Sequence, residues 1–463
     1  MTATRLLERG FALAAAAVFV VAVATVGVGA GQTTEKGRDS RLAFDTGVPQ
    51  EYQFDVPATD GVARVDGRRY EAVDGALAAA EPGDTVRLRG RFDERVVIRT
   101  DGVTLRPAGT SRPVIDGGGN GTVVNVQADD VTLRGLWIRN GGYDTSDNDA
   151  ALWVNGSGVS VVDNRITEMT FGIWLNGVTG ARVVGNTIVG RECITPLTRR
   201  GNGIQIWKVR DSVIANNRIT DVRDGMYFSW SSHVVARNNT MWDLRYGVHY
   251  MYSDHCQLRN NTAFDNDVGY ALMVSEQLRI VGNVAVKNTG RSGHGILVKS
   301  VDDTVIRGND LVANHKGLFI YNSLNNTVAG NLLLGNDVGV HVTAGSTRER
   351  VFNNSFIRND RQVLAVIERQ VYWNETRGNF WSGATTVDID DDGIGDTRYQ
   401  PAGAIQRLTA EKPAMRVFTT SPAFDAVRLA QSTVPVVESP GIVDARPLVT
   451  SPHDDWRRYY ERD

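Results

Sequence analysis

Disulfide chemistry has almost nothing to work with in this sequence, which holds 2 cysteines in 463 residues. A secreted disulfide framework is therefore excluded. Cys256 falls at a repeat position that Val234 and Leu278 fill in the neighbouring repeats, so it reads as core and both thiols are expected to stay unpaired. An excess of either charge is also lacking, since 50 basic residues face 53 acidic ones for a net charge of -3. That balance leaves no electrostatic footprint for nucleic acid and no strong pull toward an acidic membrane. What is abundant is glycine, 48 residues beside 41% hydrophobic ones, which suits a turn-rich, strand-rich chain.

The N-terminus stands apart. Arg5 and Arg9 precede an uncharged run from Phe11 to Ala30, and Val28-Gly29-Ala30 supplies the small residues at which a signal peptidase could cut. Residues 1–30 are therefore expected to be a signal peptide or a retained N-terminal anchor, with 31–60 as a linker. Either way the body is expected in the periplasm or another extracytoplasmic space.

From there a repeat governs the chain. An Asn-x-apolar landmark recurs at Asn164, Asn186, Asn217, Asn239, Asn261, Asn283, Asn309, Asn331 and Asn354, with separations of 22, 31, 22, 22, 22, 26, 22 and 23 residues. Eight residues after most of these comes a Gly, as at Gly172, Gly225, Gly247, Gly269, Gly317 and Gly339; Gly203 and Gly295 follow after insertions. Two landmarks in one register at this period indicate a solenoid, and the Leu-rich consensus of leucine-rich repeats is missing. The fold expected is an all-β, right-handed parallel β-helix of the pectate-lyase-like kind over residues 61–400. A short helix near Tyr70 to Ala80 should cap its first coil, and residues 401–463 should form a helical and extended appendage outside the solenoid. Strand alternation points the first and third residues after each Gly inward, as with Val248 and Tyr250 or Tyr270 and Leu272. The landmark Asn residues share that inward parity, so their amides are expected to hydrogen-bond up and down a ladder.

The outward positions carry the candidate chemistry. Trp174, Gln205, Trp207, Tyr227, His249, Met251, Met273, Phe319, Tyr321 and His341 occupy a column that water alone would fill with polar groups. His249 and Met251 share one strand face and Met273 lies one coil on, a thioether and imidazole set suited to Cu(I); packing under a loop or a partner is the bland alternative. His233 and His255, one repeat apart in a turn, could share a metal or be solvated. Glu168, Asp221, Asp243 and Asp265 stack as the acids of a polysaccharide lyase would, but Arg223 and Arg245 stand at same-face spacing and are expected to neutralise them. Asp388, Asp390, Asp392 and Asp396, with Gly393, follow a Ca²⁺ loop in which Tyr399 replaces the closing Glu. An acidic turn closing the last coil is the rival reading.

The stretch Arg245-Tyr-Gly-Val-His-Tyr-Met-Tyr-Ser-Asp254, followed by Asp267-Val-Gly-Tyr-Ala-Leu-Met273, resembles the central coils of the NosD family. Gly378-Asn-Phe-Trp-Ser382, Ser421-Pro-Ala-Phe and Pro440-Gly-Ile-Val-Asp444 are similar to that family's C-terminal part. The resemblance spans roughly Gly61 to Pro447; the acidic loop departs from it, with Asp391-Asp392 where the family reads Asp-Gly-Asp-Gly. It implies a non-catalytic periplasmic accessory protein that serves copper delivery to the copper–sulfur centre of nitrous oxide reductase during denitrification. The partners it implies are an ABC transporter permease and ATPase and a copper-carrying lipoprotein. It also places His249, Met251 and Met273 inside the matching motif, whether they hold copper or a partner that carries it. The competing expectation is a lyase or epimerase acting on acidic polysaccharide, against which the Asp-Pro-His motif of the epimerases is absent.

Overall fold

The structure is a computed structural model that describes residues 42–49, 52–343, 345–365, 367, 369–401, 421 and 441–460. The expected signal segment and the helix expected after Pro422 lie outside them. The described residues fall into two compact units, a body from Val48 to Trp456 and a small unit that brings 42–47 together with 457–460. In the small unit Leu42 bridges Tyr460 in antiparallel fashion and Phe44 stacks on Tyr459.

The body is a parallel β-helix. Each coil contributes one short strand to each of three sheets, of 14, 13 and 12 strands, the first count including two strands of an N-terminal hairpin. The first sheet runs from Thr85–Arg89 to Arg350–Phe352, the second from Arg91–Asp93 to Phe380–Trp381, and the third from Val96–Ile98 to Arg361–Ala365, with coil neighbours paired parallel and in register. The Gly landmarks open the strands of the third sheet. Their reason is steric: a Cβ on Gly225 would stand 2.5 Å from the carbonyl oxygen of Gly247, and one on Gly247 would stand 2.6 Å from that of Gly269. Only a residue without Cβ lets successive coils approach so closely.

Inward residues fill one continuous core, including Met226, Phe228, Val248, Tyr250, Cys256, Tyr270 and Leu272. Cys256 is buried and Cys193 exposed, both as free thiols, and burial pushes the Cys256 thiol up to about 12. The Asn landmarks form the expected ladder at the corner between the first and second sheets. Each side-chain amide donates to the Oδ1 of the next, over 2.9 Å from Asn217 to Asn239 and from Asn239 to Asn261. Each also donates to a backbone carbonyl, and each Oδ1 accepts the backbone N–H of the Asn one coil earlier, as Asn239 does at 3.0 Å from Asn217. Every polar atom of these buried amides is thereby satisfied inside the protein. A second, unforeseen ladder runs through Asn266, Asn288, Asn314, Asn336 and Asn359 at the next corner, with amide-to-amide distances of 3.0, 2.9, 3.2 and 2.9 Å.

Both ends of the helix are closed. A hairpin of Val62–Val65 and Arg68–Tyr70 pairs antiparallel with Thr85–Arg89, and a six-residue helix, Val73–Ala78, buries Val73, Ala76 and Leu77 beside it. The helix is shorter than expected because the hairpin has taken part of the capping task. Residues 52–60, expected as linker, instead lie against the second sheet, where Phe54 meets Trp137 at 5.7 Å and Tyr52 meets Trp242 at 6.2 Å. At the other end part of the expected appendage belongs to the solenoid. Gly441–Val443 pairs with Gln370–Tyr372, and the Asp444 carboxylate accepts the Asn379 backbone N–H at 2.7 Å and the Trp381 indole N–H at 2.8 Å. Asn379 is the tenth and last amide of the first ladder, so Asp444 terminates it with an acceptor instead of leaving bare donors.

Because the ladder amides are mutually dependent, Asn239→Ala should orphan Asn217 and the Ile214 carbonyl. The expected loss is about 3 kcal/mol or more from unsatisfied buried groups. Asn238→Ala, at an exposed turn position with φ 55°, should lose only about 1 kcal/mol. Urea denaturation of the two variants checks this; equal losses would mean that the ladder adds nothing beyond the turn.

Candidate functional site

The outer face of the third sheet holds the candidate residues in the register expected. Tyr227, His249 and Ala271 lie side by side on consecutive strands, and so do Ser229, Met251 and Met273. Met251 and Met273 are directly opposed across one ladder rung, so their backbones stand about 4.8 Å apart. His249 precedes Met251 by two residues and shares its face.

Beneath His249 is a charge that sequence reasoning missed. Asp224 opens its strand one position before Gly225 and is fully buried. Its carboxylate accepts Nε of Arg245 at 2.7 Å and Nη2 at 2.5 Å, a bidentate clamp, and meets Nδ1 of His249 at 3.1 Å. Burial pushes the Asp224 carboxyl up, but the hydrogen bonds from His249 and Arg245 together outweigh it and hold the group below the usual carboxylate range. An ionised Asp224 requires a proton on Nδ1 of His249, which leaves Nε2 as the lone-pair nitrogen. That Nε2 is buried and has no hydrogen-bond partner among the described residues. The ring is fixed by Tyr227 at 4.6 Å and Tyr246 at 5.0 Å, and its side chain is only 11% exposed. A carboxylate-oriented imidazole with a bare nitrogen, beside opposed thioethers, is a soft-metal donor set. Met273 also packs beside a small outer apolar cluster of Val268, Ala271 and Leu297, together with Tyr246 and Phe319.

The other candidates resolve differently. His233 and His255 are exposed and stack at 5.1 Å with planes 18° apart, so their in-plane lone pairs run parallel and do not converge on one point. The acid column is not neutralised as expected, because Arg245 goes to Asp224. Asp221, Asp243 and Asp265 stand at turn positions with φ of 59°, 55° and 52°, which explains the residue type by backbone conformation. Burial raises all three carboxyls, Arg200 approaches Asp221 at 3.9 Å, and Glu168 pairs with Arg139 at 2.6 Å. In the acidic loop Asp388, Asp390 and Asp392 bring carboxylate oxygens within 4.8 Å of one another, as a hard cation needs. Asp396 is not in that group and accepts the Ile389 backbone N–H at 2.7 Å, while Asp388 and Asp392 also accept backbone N–H groups of the loop, from Gly393 at 3.0 Å and Ile394 at 2.7 Å. Two further histidines, His294 and His341, flank Phe319 on the outer face, at 5.1 and 4.6 Å.

The strands, ladders and caps define a parallel β-helix protein, and solved structures agree on the fold. An alginate lyase in complex with G6 matches with a TM-score of 0.50 at 15% identity, covering 66% of this chain and 84% of that one. The pre-mature bacteriophage phi29 gene product 12 matches with 0.51 at 11% identity, covering 67% and 50%. Within that class the sequence comparisons are specific. The family model described as periplasmic copper-binding protein (NosD) matches residues 184–386, which include the His249 coils, and a second, of a protein of unknown function, matches 98–269. A probable ABC transporter binding protein NosD of Pseudomonas aeruginosa is 38% identical over 406 residues, 81% of this chain and 93% of that protein. Its counterpart in Stutzerimonas stutzeri is 35% identical over 357 residues, 73% and 81%. The chain belongs to the NosD family. Among the described residues no helix is long and apolar enough to cross a membrane.

Burial, with the Lys316 charge adding to it, lowers His294 to about 3 and His341 to about 4. Between pH 6.5 and about 4 the unfolded chain takes up two protons that the folded chain refuses, so stability should fall as pH drops through that window. The double variant His294→Gln, His341→Gln should lose less melting temperature than the parent over the same range. Parallel melting curves would contradict the assignment.

Proposed function

We propose that the protein is a non-catalytic periplasmic accessory factor that receives and passes copper, with His249, Met251 and Met273 as the Cu(I) contact. The observation that carries this is the buried, unpartnered Nε2 of His249, held outward by the Asp224 carboxylate. A polar atom left bare in a packed face is costly, and a soft cation supplies the missing partner. The position of the donor set inside the span matched to a periplasmic copper-binding family supports the same reading. Its relatives' name, binding protein of an ABC transporter, supports a transporter permease and ATPase as partners. A copper-carrying lipoprotein as donor and nitrous oxide reductase as recipient complete the proposal. Copper is cargo here, so the donors need only outcompete solvent and yield to the next protein in line. Two thioethers and one imidazole, without a thiolate, suit that purpose, because uncharged ligands release Cu(I) readily.

Titration of the purified protein with Cu(I) against a competing chelator should show one equivalent bound, lost on Met251→Ala with Met273→Ala. Asp224→Asn should weaken it about tenfold or more, the usual effect of removing the carboxylate behind a ligating histidine. Absence of Cu(I) binding would restrict this face to protein contact, as the packing of Met273 beside the outer cluster would then explain. Release of unsaturated uronate from alginate, lost on Asp243→Asn, would overturn the accessory role.

A further inference from the structure

Two to four coils beyond His249, the same outer face carries a cluster of different character. Lys316 stands beside His294 in strand register, and Phe319 stands beside His341. The Lys316 ammonium lies 5.0 Å from the centre of the Phe319 ring, and both imidazoles pack on that ring. His294 is only 6% exposed, yet neither imidazole has a hydrogen-bond partner among the described residues. In each ring it is Nδ1 that is sealed from solvent without a partner. A bare lone pair tolerates such a place better than an N–H, so the proton belongs on Nε2 in both. Lys316 has no carboxylate within ion-pairing distance among the described residues, and Val338 and His294 are its neighbours in the ladder. Desolvation lowers its ammonium, which is the signature of a cation held without compensation.

One ammonium and two neutral imidazoles packed around one aromatic ring make a cluster that repels cations and lacks a counter-ion among the described residues. A single positive charge with two neutral donors balances a monoanion, which fits a carboxylate better than a phosphate dianion. We propose that Lys316, His294 and His341, on the floor of Phe319, receive one carboxylate, from an acidic side chain of a docked protein or from a free small acid. The site is separate from the copper contact and does not depend on it. The two sources share their chemistry and differ in what else they bring. A side chain arrives with a protein surface, whereas a free acid binds alone.

The test is long-range nitrogen–proton NMR on the full protein labelled in histidine, with His294 and His341 assigned from their Gln variants. Titrations use acetate, a capped tetraglutamate peptide and, as the ionic-strength control, chloride. Saturable shifts of both histidines with acetate or peptide, and none with chloride, support the site; tighter binding of peptide assigns it to protein carboxylates, and equal affinity per carboxylate to free acids. Lys316→Gln should weaken binding about tenfold or more, the scale of one charge-assisted hydrogen bond, while the histidine resonances in the absence of ligand show that the face remains folded. Shifts that do not saturate, that chloride reproduces, or that survive unchanged in Lys316→Gln would overturn the proposal.

Discussion

Everything in this protein hangs on the hydrogen bond between one buried asparagine amide and the next. Ten asparagines from Asn164 to Asn379 repeat that bond once per coil, and each amide also ties two backbone groups of its corner. The bond requires consecutive coils to sit one strand spacing apart with their corners aligned. A coil that slipped by one residue would break the amide contact and turn the whole inward column outward. The ladder thus fixes register at every turn. The glycine column then sets how closely the third sheet's strands approach at their starts.

Register is what makes the outer face chemically useful. Side chains drawn from separate coils can meet a common partner only if the coils are held at a fixed pitch, and Met251 faces Met273 for that reason. Insertions are absorbed at corners, as the ten residues from Arg191 to Arg200 show, without disturbing the pairing of Trp174 with Gln205 or of Gln205 with Tyr227. The acid under His249 depends on the same rule. Asp224, Arg245 and His249 come from two coils, and the clamp closes because position one of one strand faces position one of the next. A buried carboxylate is expensive, and here the guanidinium and imidazole satisfy it while leaving Nε2 free.

Much of this was legible in the sequence. The Asn and Gly periods gave the fold, the inward pairs after each Gly are core, and the His249, Met251 and Met273 positions share a face as their spacing requires. The second asparagine ladder was equally legible, because Asn266, Asn288, Asn314, Asn336 and Asn359 each follow a first-ladder Asn by five residues. Asp224 was harder to see. Its position before Gly225 is held by Tyr246, Val268, His294 and Lys316 in the following coils, so residue type varies down that column and an acid there stood out only by its charge. The pairing of Arg245 could not be read from spacing, since Asp243 stands two residues away in sequence while Asp224, its actual partner, comes from the preceding coil. Burial also joins part of the expected appendage, Gly441–Val443 and Asp444, to the last coil, with Asp444 brought onto Asn379 from 65 residues away.

X-ray absorption at the copper edge of the Cu(I)-loaded protein reads the ligand atoms themselves, and so whether the coils bring His249, Met251 and Met273 onto one ion. One imidazole nitrogen and two sulfurs are expected, falling to nitrogen alone when Met251 and Met273 are both replaced by Ala. A coordination shell without sulfur in the parent protein, or one unchanged by that double substitution, would contradict it.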